Sequence, residues 1–459
     1  MAGSGKILVE SIQRLLRRNA DRNLVKLLRR AHAADIAAAL AAVSAADKLR
    51  LFRLIPDVEL QAETLSEAGL ESQRILLPSL RDDELIEILK ALSGDDAADL
   101  LALLPDERSA HLLSQWKGEQ ASEVDTLLAY GADTAGGLMS PHVFALPGQT
   151  TCREAIETLQ SSHEEIEMAF YLYVVNEHGQ LVGVCSLRQL VISDANRSLE
   201  SIMTTDVVSV RTDTDQGEVA STVAKYNFLA IPVVDESNKL VGLVTVDDVI
   251  DVIQEKHTED ILMMAGAGGV DLYEAITPVN SARTRMPWLA ATFIAGLGSM
   301  LVISSFESTL ARVAALAAFI PITLGMGGNV GTQAATIVTR GLALGRVQVT
   351  DFARVVGREV AVGAIVGLVY GALLAVAATL LFHEGNSSEG WQVWQLAATV
   401  SLSVATSMTI AASLGGAVPL VFARLGIDPA VATNPVVTTS TDLIGVTVYF
   451  MIGRFFFHL

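Results

Sequence analysis

NPVVTTSTDLIGVTVYFM, residues 434–451, is apolar enough to lie in hydrocarbon, yet it carries an ionisable side chain, Asp442, in its middle. A carboxylate at bilayer depth costs about 2.5–3.5 kcal/mol on insertion scales, so it persists where it faces a wet cavity or a cation. No other charge is expected deep in a neighbouring apolar stretch to pair with it. Asn434, Thr438, Thr439, Ser440 and Thr441 surround it with oxygen donors. Pro435 frees backbone carbonyls one turn earlier, because it cannot donate to the helix ladder.

A second stretch, PITLGMGGNVGTQAAT (321–336), carries Gly325, Gly327, Gly328 and Gly331. These glycines predict a broken helix at membrane depth, which is tolerated where the backbone lines a pore or is buried in protein. The donors in both stretches are oxygens, with no Cys or His cluster beside them. Such a set favours a hard cation over a soft one such as copper. One carboxylate among many neutral oxygens suits an ion that keeps several waters, as Mg²⁺ does.

Five stretches after Arg285 are long enough to cross ~30 Å of hydrocarbon. They cover 286–306, 313–339, 360–382, 393–421 and 431–457. Arg283 and Arg285 precede the first, Arg340, Arg346, Arg354 and Arg358 follow the second, and Arg424 follows the fourth. The loop HEGNSSEG after the third has no Lys or Arg. Basic loops mark the cytoplasmic side, so the N-terminus is expected inside and the C-terminus outside. Gly363, Gly367 and Gly371 repeat every four positions, which predicts one face of close helix packing.

The whole chain has 459 residues, a net charge of −19, 18% charged residues and a mean hydropathy of +0.43. That composition excludes a wholly disordered chain and a wholly soluble one. The acidity argues against a nucleic-acid binder, which needs a basic face. From Asp271 onward nine acids balance nine Arg, so the entire net charge lies in residues 1–270. Cys152 and Cys185 cannot build a four-ligand zinc site and read as reduced cytoplasmic thiols. No secretory signal is expected, since the first helix is amphipathic and broken by charges.

The acidic half reads as two repeats. Over 25–130, short helices end in LIPD (54–57), LLPS (76–79) and LLPD (103–106), where proline stops each helix. This predicts a solenoid-like stack. Then YVVNEHGQLVGVCSLRQLV (173–191) aligns with PVVDESNKLVGLVTVDDVI (232–250) at an offset of 59. MSPHVFAL (139–146) aligns with MTTDVVSV (203–210). The pattern resembles a tandem cystathionine-β-synthase (CBS) pair, which implies two α/β modules packed as a disc and adenosine-nucleotide binding. From Asp251, DVIQEKHTEDILMM continues as a helix toward the first apolar stretch.

Taken together, GGN-x-G-x-Q in the second apolar stretch and NP-x-x-x-T-x-x-D in the fifth make the chain similar to the MgtE magnesium channel/transporter family along essentially its whole length. The fold class expected is multidomain. It comprises a helical solenoid-like N-domain (1–134), a tandem CBS pair (135–250), a connecting, plug-like helix (251–280) and a five-helix transmembrane bundle (281–459). The resemblance implies a homodimer in the cell inner (plasma) membrane, passing Mg²⁺ down its gradient through a pore lined by spans two and five. It implies Asp442 as the main selectivity carboxylate, with Asn434, Gly328 and Asn329 nearby. It also implies Mg²⁺ sensing by Asp95, Asp99, Asp215, Asp248, Asp251, Glu259 and Asp260, and ATP at the CBS pair. Crowded like charges at an interface repel, and a divalent ion would hold them together.

Four positions depart from the family pattern: Thr332 and Thr438 in the pore motifs, Asn227 and Lys256 where acids are frequent. Gln189 stands where the first CBS module would carry Asp. Two rival readings stay open: a CBS-regulated carrier of another ion, such as Co²⁺ or, against the sign of Asp442, chloride, and a membrane-anchored nucleotide sensor. An enzyme is not expected, because no Walker A lysine motif, HExxH or evident triad is present.

Overall fold

The computed structural model describes residues 2–161, 170–265, 278–382 and 391–459. It divides into two compact units, Met1–Glu255 and Lys256–Leu459.

The first unit opens with short helices: α1 (Ala2–Arg17), α2 (Asp21–Leu28), α3 (Ala33–Ala41), α4 (Ala45–Arg53), α5 (Val58–Ser66), α6 (Leu70–Leu76), α7 (Asp82–Lys90), α8 (Gly94–Ala102), α9 (Asp106–Gln115) and α10 (Glu119–Leu128). Their shortness follows from the expected punctuation. Pro56 follows α4, Pro78 sits in a 3₁₀ turn after α6, and Pro105 is the N-cap of α9. The Ser44 hydroxyl accepts from Asp47 N to start α4. Each helix turns an apolar stripe inward, including Leu24, Leu28, Ile36, Leu40, Leu51 and Leu89. Full burial of such a side chain contributes about 1.5–3 kcal/mol. The buried Lys48 is compensated: its Nζ donates to Glu71 Oε1 at 3.0 Å and Ser72 Oγ at 3.2 Å.

Two three-stranded sheets follow. Helix α11 (Ala135–Leu138) leads to β1 (Ala145–Pro147), α12 (Cys152–Ser161), β2 (Tyr171–Val175), β3 (Leu181–Ser186) and α13 (Leu187–Ile192). The second module has β4 (Val210–Arg211), α14 (Gln216–Tyr226), β5 (Ala230–Val234), β6 (Leu240–Thr245) and α15 (Val246–Met264). The 59-residue offset maps β2 onto β5 and β3 onto β6. In each module the first strand is parallel to the second and the second antiparallel to the third. The helical domain packs on the second module, since one continuous core runs from Ile12 through Val219, Ile231 and Val252. Helix α15 starts directly after β6 and runs 19 residues, so the last CBS helix and the expected connecting helix are one element.

The second unit contains α16 (Pro278–Ser305), α17 (Glu307–Arg312), α18 (Ile320–Ala343), α19 (Phe352–Leu381), α20 (Val393–Arg424) and α21 (Pro429–Phe457). Five helical stretches are long and apolar enough to cross a membrane, and they coincide with the five expected from sequence. Residues 266–277, within the expected connecting helix 251–280, and HEGNSSEG (383–390) lie outside the described residues. Helix α20 is central and packs on α18, α19 and α21.

One expectation is corrected. The run of glycines in 325–331 does not break α18, which is continuous through it. In hydrocarbon a freed backbone group has no water to bond, so the ladder is kept. Gly331 serves close approach instead, since a Cβ there would lie 2.9 Å from Val437 Cγ1 and 3.3 Å from Ala411 O, whereas a Cβ on Gly325 or Gly327 would meet open space. The irregular backbone lies earlier, where Val313 (φ −136°, ψ 77°) separates α17 from a 3₁₀ segment, Ala314–Phe319. Gly363, Gly367 and Gly371 do share the buried face of α19. A Cβ on Gly367 would sit 2.8 Å from Ala405 O, and on Gly371 2.7 Å from Ser401 O.

Candidate cation sites

Helices α18 and α21 bring the two polar motifs together. Asp442 is half-buried on α21, and its Oδ1 lies 3.8 Å from where a Cβ at Gly328 would be. The missing side chain at 328 keeps carbon out of van der Waals contact with this carboxylate oxygen. Thr438, Thr439 and Ser440 are half-buried on the same helix. Asn434 lies on α21, with its side chain outside the described residues. Asn329 is exposed on α18, one face with Gln333 and Thr336, which are also exposed. Gln333 and Thr336 stood in the quoted motif without being singled out. Their spacing from Asn329, four and seven residues, is the helical signal that joins them.

Glu359, which sequence reasoning did not single out, lies on the first turns of α19 and is 8% exposed, its side chain packed against Gly416. Arg358 and the end of the apolar run masked it.

In the first unit the acidic positions separate into those that converge and those that do not. Asp95 and Asp99 lie one turn apart on α8, and Asp248, Asp251 and Glu255 line α15. Asp99 is exposed at the surface of α8, yet partial desolvation by the surrounding protein pushes its carboxyl up to about 7, with Asp95, Asp96 and Glu255 adding to the shift. Burial likewise pushes Asp248 up to about 7 against a hydrogen bond from Thr245, and Asp95, Asp247 and Asp96 reinforce it. Asp95 is raised chiefly by burial, and its Oδ1 is buried with no hydrogen-bond partner. Asp96, by contrast, accepts from Ser66 Oγ at 2.6 Å and Ser93 Oγ at 2.9 Å. Burial and Asp247 raise Asp251, while burial, Asp251 and Asp133 raise Glu255.

An unsatisfied carboxylate oxygen among mutually repelling acids fits a cation. Among the described residues, however, no three His, Cys, Asp or Glu side chains by themselves enclose a metal ion. Sequence reasoning missed Asp96, Asp133 and Glu255. Glu255 was legible as one turn beyond Asp251 on the same helix. Asp215 is not brought to this cluster; its side chain caps α14, accepting from Gly217 N at 2.9 Å. In the second unit Glu259 pairs with Lys256 at 3.3 Å. Burial raises Asp260, opposed by Lys256 and reinforced by Asp428, the N-cap of α21 that sequence reasoning passed over.

A cleft of about 230 Å³ opens between the two CBS modules, lined by Tyr171, Tyr173, Ser186, Gln189, Asp206 and Phe228. Gln189 Oε1 accepts from Ser186 N at 2.8 Å and Ser186 Oγ at 3.0 Å, completing a capping box on α13.

A bundle of five spans with an inward carboxylate, on a chain that also carries a CBS pair, defines a multi-pass membrane cation transporter. Comparison with known proteins agrees. Residues 31–133 match the MgtE intracellular N domain, 135–195 and 199–255 the CBS domain, and 320–452 the divalent cation transporter domain of MgtE. The magnesium transporter MgtE of Thermus thermophilus is 36% identical over 451 residues, covering 97% of this chain and 98% of the relative. That of Bacillus subtilis is 34% identical over 396 residues, 86% of each. A crystal structure of the cytosolic domain of the Mg²⁺ channel MgtE in complex with ATP is 38% identical. It covers 53% of this chain and 99% of that one, with a TM-score of 0.50. The chain belongs to the MgtE family of magnesium transporters.

Proposed function

We propose that the protein is a homodimeric channel for passive Mg²⁺ uptake across the inner (plasma) membrane, with its N-terminus in the cytoplasm. The observation that carries this reading is the approach of Asp442 to Gly328 on facing helices, which joins the two oxygen-rich motifs at one place. Asp442 attracts the hydrated cation, and the amide of Asn329 and the hydroxyl of Thr438 contact its water shell, while Asn434 is assigned to the site by the sequence motif alone. The exposed amides of Asn329 and Gln333 favour a second copy against α18, because polar groups facing lipid lack partners.

Gating rests on the acidic cluster. Asp95, Asp99, Asp248 and Asp251 would hold Mg²⁺ when it is abundant, with Glu259 and Asp260 further along α15. A ligand shifts an equilibrium only by its differential affinity for the two states, so the ion must bind the drawn-together form better. ATP binding in the CBS cleft is part of the same reading, supported by the 59-residue repeat, the aromatic walls of the cleft and the related cytosolic domain solved in complex with ATP.

The test is Mg²⁺ uptake into proteoliposomes. Asp442→Ala is expected to lower uptake at least tenfold while the protein keeps its size-exclusion profile. Unchanged uptake would sink the assignment of the pore. Competition by Co²⁺ in the same assay separates a magnesium channel from a carrier of other divalent ions.

A further inference from the structure

The strongest charge contrast in the molecule lies outside the sites described so far. Residues 1–30 contain eight Lys and Arg against two acids, a net of +6, whereas 31–270 carry −25. Arg14, Arg17, Arg18, Arg22, Lys26, Arg29 and Arg30 are all exposed. Helices α1 and α2 bury Ile12, Leu16, Leu24 and Leu28, so the cations project from the opposite side of this helical hairpin. The one carboxylate among them, Asp21, is taken by Arg50 at 2.5 Å. None of the seven is ion-paired among the described residues.

We propose that this cationic end of the helical domain docks on the anionic headgroups of the bilayer that the same chain spans. Three observations favour a lipid surface. First, the patch is electrostatic: over residues 14–30 the apolar side chains Leu16, Leu24 and Leu28 are buried in the core, and Ile7, on the first turns of α1, is the one large apolar side chain of the two helices left exposed. Second, residues 1–30 contain no aromatic side chain, hence no platform on which nucleic-acid bases would stack. Third, the five spans hold the domain at the bilayer, so attraction acts at high effective concentration. Each cation near an anionic leaflet strengthens such contact roughly fivefold. The acidic remainder of the unit is repelled by the same surface, which orients the domain with residues 14–30 toward the headgroups.

The experiment uses the full chain in nanodiscs. Asn23→Cys, at an exposed site in the patch, takes a fluorescent donor, and the headgroups carry an acceptor. The native Cys152 and Cys185 are fully buried, so labelling is confined to position 23. Energy transfer is expected to be higher in discs with one-third phosphatidylglycerol than in pure phosphatidylcholine at 20 mM salt. The difference should vanish at 0.5 M salt, where screening shrinks to a few Å. It should also vanish in the variant Arg14→Glu, Arg17→Glu, Arg18→Glu, Arg22→Glu. The salt titration of the parent needs no variant and stands if that one fails to fold. Equal transfer in the two discs, or an anionic preference that survives charge reversal, overturns the proposal. So does tight binding of a short RNA to a patch indifferent to phosphatidylglycerol.

Discussion

Asn227 closes α14 in the left-handed region, at φ 56° and ψ 44°, with its N–H donating to Val223 O. Left-handed backbone costs most residues about 1–2 kcal/mol, and Asn and Gly least. Asn227→Ala is therefore expected to destabilise the soluble half by about 1 kcal/mol, read as a lower melting transition. Asn227→Gly should change it by only a few tenths. Equal effects would mean that the cap is not what position 227 supplies. In the sequence Asn227 reads as an acid missing from an ion site, because a one-dimensional pattern shows charge and not φ. Lys256 differs: it reads as a compensating charge and does pair with Glu259. That exposed pair contributes little, as i,i+3 surface pairs do.

At the scale of elements, period and punctuation carried most of the information. The five spans, the proline-ended short helices and the doubled β-α-β-β pattern are all visible in residue spacing. The behaviour of α18 was not, because glycine has two uses, to bend a helix and to let another approach, and composition does not distinguish them. The close fit of α19 on α20 belongs to the second use. Gly367→Leu would drive four carbon atoms into the Ala405 backbone. Overpacking of this kind typically costs 1–3 kcal/mol. The expected outcome is a lower melting temperature in detergent, with Mg²⁺ uptake reduced in proportion to folded protein. An unchanged melting temperature would show that the two helices part readily.

For the molecule as a whole, the acidic cluster is the feature that one-dimensional reading could only half supply. Asp95 and Asp248 are separated by 152 intervening residues, and only the packing of the helical domain on the second CBS module brings their charges to bear on each other. Asp99→Asn with Asp248→Asn removes two of the crowded charges. In chelator the double variant is expected to melt about 2–4 °C above the parent. Added Mg²⁺ should then stabilise it less than the parent, so the two melting curves converge. If Mg²⁺ stabilises both equally, these two carboxylates are not where the ion acts.

The exposed row of Asn329, Gln333 and Thr336 on α18 bears on how the protein is made. A solitary subunit leaving the insertion machinery would hold two amides and a hydroxyl against acyl chains. In the proposed dimer, covering that row would be part of maturation, and an orphan copy would be the form that quality-control proteases meet. With pairing as the remedy, the yield of finished transporter at low synthesis rates follows the square of subunit supply. A truncated copy retaining α18 would then act as a decoy, capturing intact subunits before they find each other.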